Sequence, residues 1–326
     1  MASVDNPVDI LPVYAEMAHS EPLPLKVSEE TVVVMHVDIN QTIVPVDTVQ
    51  QKGAPDVIAH ALAKFMPCKW DDDTEPMSYH DYVFNIAIPG PRSDKALKKQ
   101  RKARVVRFVD HLEEIDHPFA AQTRATHETA LKMIADSSTA ARRVVPSFYR
   151  LIEALQKEKI TFRIILRSFG NEVNTVAEEL TRNTGIEFRR GSFKAHGFHE
   201  VGHEIAMPMG ATDTFKLFQQ SSWAVQDDWP YWNSREEKFQ YGKLFPYHAT
   251  QYVHSMFFDD NIFPAASPTN IVCPIDFVTV KYGDIDELTQ QGILVPANLV
   301  ASVFDENYFI NHVARSLGLR ETPKKE

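Results

Sequence analysis

Three apolar runs in this chain each stop at a polar cluster. Thr31-Val32-Val33-Val34-Met35-His36-Val37 leads into Asp38-Ile39-Asn40-Gln41-Thr42. Ile160–Arg167 leads into Ser168, and Tyr252–Phe258 leads into Asp259-Asp260-Asn261. Short, near-continuous runs of β-branched and aromatic residues predict strands buried on both faces, as in a parallel sheet. Around them the apolar spacing becomes helical. Phe148, Leu151, Ile152 and Leu155 follow Pro146, which suits a helix's first turn. Val173, Val176, Ala177 and Leu180 predict a helix stopped by Asn183-Thr184-Gly185. Helix, strand, polar turn and helix in succession predict an α/β fold with a doubly wound, mainly parallel sheet. The carboxyl ends of its strands would converge on one crevice, where such sheets bind ligands.

The pattern divides the chain into an arm over 1–30, a core over 31–52 and 141–326, and an insertion over 53–140. The arm carries Pro7, Pro12, Pro22 and Pro24. Thr42–Asp47 predicts a short β excursion. In the insertion, Asp71–Pro76 and Pro89-Gly90-Pro91 read as loops. Ser93 is a candidate N-cap for one long helix with Leu97, Val105, Phe108, Val109 and Leu112 on its apolar face. A second helix is expected over Thr126–Ala135. Further expectations are strands at Ile186–Arg190 and Phe277–Tyr282, and helices at Glu287–Gly292 and Glu306–Leu317.

Composition narrows the function classes. The 326 residues are 44% hydrophobic and 24% charged, ordinary for a globular protein, and the net charge is −10. That charge argues against a nucleic-acid binder, which needs a basic face to replace phosphate counterions. No apolar stretch approaches membrane-spanning length, and the N-terminus lacks a secretory pattern. Cys68 and Cys273 are too few for a disulfide scaffold and read as buried small apolar residues. A cytoplasmic setting is expected.

The polar clusters carry the chemistry. Asp38-Ile39-Asn40-Gln41-Thr42, then Ser168, then a lysine, then Asp259-Asp260, each at a strand end, resemble the haloacid dehalogenase (HAD) superfamily of phosphatases and phosphotransferases. The resemblance covers residues 30–52 and 145–282. It implies a Rossmann-like core, a flap after the first strand, and a mostly helical cap at 53–140 that selects substrates. It also implies magnesium-dependent phosphoryl transfer on a small phosphorylated substrate, through an aspartyl-phosphate on Asp38. A carboxylate nucleophile approaching a phosphate dianion needs a cation between them, and magnesium suits carboxylate and phosphate oxygens. In this reading Asp38, Asp259, Asp260 and the Asn40 carbonyl hold the metal, while Thr42, Ser168 and a lysine complete the site. Lys243 is best placed for the lysine, with Lys238, Lys216 and Lys194 as alternatives. Taken singly, Asp38, Ser168 and Asp259-Asp260 also suit ordinary turns and helix caps.

One position departs from the family pattern. A second Asp, the general acid–base, belongs two residues after the nucleophile, and Asn40 stands there. An amide has no proton to exchange near neutral pH. Three outcomes stay open: another group serves, such as His36, Asp47 or a residue of the insertion; the protein transfers or holds phosphoryl groups; or the chain is a non-catalytic HAD-fold binding or scaffold protein.

A competing motif is His199-Glu200-Val201-Gly202-His203, the H-E-x-x-H pattern of zinc proteases. It would place both histidines on one helix face with Glu200 as base. Gly197 and Pro208 argue for a hairpin or loop instead. The basic stretch Lys95–Arg104 reads mainly as a solvated helix face, with attraction of an anionic substrate as the functional alternative. Trp223, Trp229, Tyr231 and Trp232 read as core or contact residues before a substrate wall.

Overall fold

The computed structural model describes residues 21–47, 52–71, 75–91, 94–137, 142–194, 197–201, 210–248, 252–263 and 270–321. Its centre is a seven-stranded sheet. The strands are β1 (Val32–Asp38), β2 (Thr161–Ser168), β3 (Phe188–Lys194), β4 (Gly197–Glu200), β5 (Ser222–Gln226), β6 (Val253–Asp259) and β7 (Leu294–Pro296). Their order across the sheet is β7-β6-β1-β2-β5-β3-β4, and every neighbouring pair is parallel except the β3–β4 hairpin. The α/β fold with a mostly parallel sheet is therefore the one the apolar runs predict.

β1 lies between β2 and β6, buried on both faces. Val33, Met35 and Val37 face the largest core, which they share with Ile164, Leu166, Met256 and Phe258 of the neighbouring strands. That core also takes in Val57, Ile58 and Leu62 of the helix Ala54–Phe65, Leu151 and Leu155 of Pro146–Lys157, and Phe309 and Val313 of Tyr308–Glu321. The inserted segment packs into it too, through Val105, Phe108, Leu112 and Ile134. On the opposite face, Val34 joins Ile165, Trp223 and Phe218, the last from the helix Ala211–Phe218. A small sheet closes this side, with Lys243–Tyr247 and Val272–Asp276 parallel and Lys281–Tyr282 antiparallel to the latter. Both cysteines are free and buried.

Several boundaries differ from the sequence expectations. The long helix after Pro91 is two helices, Lys95–Val106 and Phe108–Glu114, broken at Arg107. Asp94 caps the first by accepting from the Ala96 and Leu97 amides at 2.8 and 3.1 Å, while Ser93 lies outside the described residues. The second insertion helix runs over Ala120–Ser137, and the C-terminal helices over Ile285–Gln290 and Tyr308–Glu321. Of the strand expected at Phe277–Tyr282 only Lys281–Tyr282 forms, and the longer strand lies earlier, at Val272–Asp276. Asp276 ends it by accepting from the Val278 and Thr279 amides at 2.9 and 2.8 Å, and this side-chain acceptor reverses the chain. The excursion after Thr42 is reduced to isolated bridges, Asn40 with Val44 and Asp47 with Lys52. The H-E-x-x-H reading fails on its described half. His199 and Glu200 lie on β4, paired to β3, and Glu200 accepts from Arg189 Nε at 2.9 Å. Among the described residues His199 and Glu200 are on a strand and not on a helix face, and His203 lies outside the described residues. No described helix is long and apolar enough to cross a membrane.

His312 packs edge-on against the rings of Phe258 and Tyr308, and burial, then Arg315, pulls its pKa from 6.5 down to about 4. The unfolded chain therefore takes up this proton first. Stability from the neutral ring is complete above pH 6.5 and is lost as pH falls toward 4. Burial depresses His36 and His60 in the same direction. The melting temperature should fall across this window, and His312→Phe should shrink the fall, as calorimetry over a pH series would measure.

Candidate active site

The parallel register brings the three polar clusters to one level. Asp38 is opposite Arg167 on β2, one residue before Ser168, and Val37 is opposite Phe258 on β6, one residue before Asp259. Asp38, Asp259 and Asp260 are all buried, with carboxylate oxygens within 4.8 Å of one another. Past Asp38 the chain turns sharply. The Ile43 and Val44 amides both return to the Ile39 carbonyl at 3.0 Å, and Gln41 takes a left-handed φ of 64°. This turn brings Thr42 back, so that its Oγ1 donates to Asp38 Oδ2 at 3.2 Å and accepts from the Asp260 amide at 3.2 Å.

Lys243 is the lysine of the site. Its Nζ donates to Asp38 Oδ1 and, at 2.7 Å, to Asp259 Oδ2. Burial works against the ammonium, but Asp259 and Asp38 outweigh it and hold Lys243 above the usual lysine range. Lys243 opens the strand Lys243–Tyr247, its amide bonded to the Ile271 carbonyl at 2.7 Å. Gly242 permits that approach, since a Cβ there would lie 2.2 Å from the Ile271 oxygen. The alternatives fall away. Lys238 pairs with Glu236 on the surface, and Lys194 and Lys216 are exposed. Asp38 is raised well above the ordinary carboxylate value by burial first, with Lys243 opposing and Asp259 and Asp260 adding to the rise.

Ser168 faces a residue that the sequence did not single out. Its Oγ donates to Glu172 Oε1, which also accepts from Asn40 Nδ2 at 2.7 Å. Glu172 is the first residue of the helix Glu172–Thr184, one turn beyond Ser168. The only sequence signal was a carboxylate four residues past a strand-end serine, an ordinary helix-start pattern.

Beneath the site lies a buried ion pair. Arg167 donates to both Asp227 oxygens, at 3.0 and 2.5 Å, to the Leu244 carbonyl at 2.8 Å, and to His36 Nδ1 at 3.3 Å. His36 sits among Phe218, Phe245 and Phe257. Burial, then Arg167, holds its pKa well below the usual histidine value, so it is no proton donor at neutral pH. Asp47 is buried and accepts from Gln41 Nε2 at 3.2 Å.

The insertion, and Lys52 just before it, bring lysines to the same mouth. Lys64 Nζ donates to Asp260 Oδ2 at 2.6 Å, to the Asp260 carbonyl at 2.9 Å and to Asn261 Oδ1 at 3.2 Å. Lys52 Nζ is buried and has no hydrogen-bond partner among the described residues. Its pKa is lowered by burial, which Asp47 opposes and Lys64 reinforces. Lys102 is pushed down to about 8 by burial and then by Lys98 and Lys52, and Lys98 is paired with Glu237. The basic stretch is thus divided. Arg101 is buried against the Ile88 and Gly90 carbonyls, Lys98 and Lys102 approach this cluster, and Lys95 and Lys99 are exposed. Among the aromatic residues, Trp223 is core, and Trp232 stacks on Phe169, whose ring centre is 5.5 Å from Lys243 Nζ.

Asp227→Ala should leave the Arg167 charge buried without its partner and cost about 3–5 kcal/mol in urea unfolding. Replacing both Arg167 and Asp227 by leucine should recover much of that loss. Compared with known proteins, the chain matches no described family, no curated protein and no solved structure.

Proposed function

We propose that this chain is a phosphoryl-transfer enzyme of the haloacid dehalogenase type, with Asp38 as nucleophile and a small phosphorylated compound as substrate. One observation carries the reading: the Asp38 carboxylate is held on one oxygen by Lys243 and on the other by Thr42, at the crevice where the strands end. Such fixing suits a carboxylate that must attack in line, since catalysis of this reaction is mainly positioning and charge stabilisation. Ser168 and Lys243 would donate to the phosphoryl oxygens. The segment 53–140 would act as the cap, with Lys64 and Lys102, and Lys52 just before it, favouring an anionic substrate.

The donor set suits magnesium, being three carboxylates and one carbonyl, all hard oxygens. Lys243 and Lys64 pair directly with these carboxylates. Asp38, Asp259, Asp260 and the Asn40 carbonyl would hold the ion. When bound, it would screen the carboxylate from the phosphate and polarise the phosphoryl oxygens. Asp38 would take the phosphoryl group, and Thr42 would keep its carboxylate aligned. A second reading, a ligand-binding protein without turnover, is favoured by Asn40 and by the Lys64–Asp260 pair. Two free buried cysteines fit a reducing, cytoplasmic setting.

Hydrolysis of an aryl phosphate, with and without magnesium, tests the reading. Wild type should turn over with magnesium, and Asp38→Asn should fall to the buffer rate. Equal, negligible rates across a panel of metabolite phosphates would support the binding protein. Lys102→Ala should raise KM several-fold for dianionic substrates with kcat little changed, because it removes binding charge and not reacting groups.

A further inference from the structure

Asn40 occupies the place of a proton-transfer group and cannot serve as one, but a carboxylate stands directly against it. Asn40 Nδ2 donates to Glu172 Oε1 at 2.7 Å, across 132 positions of sequence. Ser168 Oγ donates to the same oxygen. Gly170 leaves this carboxylate room. A Cβ on Gly170 would lie 2.0 Å from Glu172 Oε2 and 2.6 Å from its Cδ, so only glycine leaves the side chain where it is. The Gly170 amide in turn donates to Ser168 Oγ at 3.0 Å, which fixes that hydroxyl. Glu172 is half-buried. A glutamate serving only to favour a helix start needs neither the amide nor the glycine.

We propose that Glu172 is the general acid–base of this site, carried by the helix after β2, and that Asn40 is its positioning residue. The inference rests on the phosphoryl-transfer reading above. In the first step an Asp38 oxygen bonds to phosphorus, the bond from phosphorus to the leaving oxygen breaks, and that oxygen takes the Glu172 proton. In the second, a water oxygen bonds to phosphorus and gives its proton to the Glu172 carboxylate. The bond from phosphorus to Asp38 then breaks and releases inorganic phosphate. One proton leaves Glu172 and one returns, and no electrons are exchanged. Asn40 fits this arrangement better than an aspartate, since a second carboxylate 2.7 Å from Glu172 would repel it where the amide donates.

The test is Glu172→Gln, which keeps the size of the side chain and an oxygen for Ser168. The rate of aryl phosphate hydrolysis should fall about 10²–10⁴-fold, the usual worth of general acid–base help. The second step loses its base, so Asp38 should be found phosphorylated by mass spectrometry after acid quench, which wild type under turnover should show far less. Gly170→Ala should move both readouts the same way by displacing the carboxylate. Asn40→Asp should give at least a tenfold gain in the Glu172→Gln background and none in wild type, whereas a Glu172 without a proton-transfer role leaves the gain equal in both. Wild-type rates in folded Glu172→Gln overturn the assignment and leave the phosphoryl-transfer reading intact. Activity that survives Asp38→Asn, or is absent from wild type, overturns that reading and this one with it.

Discussion

The ammonium of Lys243 is the group on which the rest of the site depends. Asp38, Asp259 and Asp260 crowd three carboxylates into the protein interior, within 4.8 Å. Removal of ionised carboxylates from water is costly unless opposite charge and hydrogen bonds replace the solvent. Lys243 supplies both, bridging two strand ends, and Lys64 does the same for Asp260. The fold contributes the delivery. A second sheet places Lys243 above the first, and Gly242 lets its strand close on Ile271.

Charge alternates from the crevice inward. Behind the carboxylates stands Lys243, whose ammonium is further favoured by Asp227, and behind Asp227 stands Arg167. Arg167 is fully buried but spends its donors on Asp227, the Leu244 carbonyl and His36, so no guanidinium edge is wasted on an apolar wall. The neutral His36 ring ends the series within aromatic packing. This layering lets a strand as apolar as β1 end in an acid.

The sequence made legible what depends on period and burial. β1, β2 and β6 are mainly apolar runs because both faces of their central residues are covered, and their polar ends meet because parallel strands share a register. Asp38, Ser168, Asp259 and Asp260 could therefore be singled out from strand ends, while Thr42 and Lys243 were named through the family resemblance those ends suggested. Boundaries governed by side chain-to-backbone bonds were harder. Phe277–Tyr282 alternates like a strand, yet Val278 and Val280 are 58% and 68% exposed, and Asp276 has already turned the chain. The true strand hides behind Cys273 and Pro274. Lys64 was missed because it sits in an ordinary amphipathic helix, 196 positions before Asp260. Glu172 was missed because a glutamate at a helix start is commonplace, and only its distance to Asn40 distinguishes it.

The separation of these partners along the chain bears on how the protein is made. Lys243 reaches Asp38 across 205 positions, and the Asp260 amide reaches Thr42 across 218. Contacts of such span form slowly, because the loop between them must close before they give anything back. Up to residue 242, a growing chain carries β1, β2 and β5 and the whole of the insertion. It holds the Asp38 carboxylate without the cation that makes its burial tolerable. The Asp38 end of β1 would thus stay hydrated until nearly three quarters of the chain has been synthesised, and maturation of the crevice coincides with docking of β6 in the sheet.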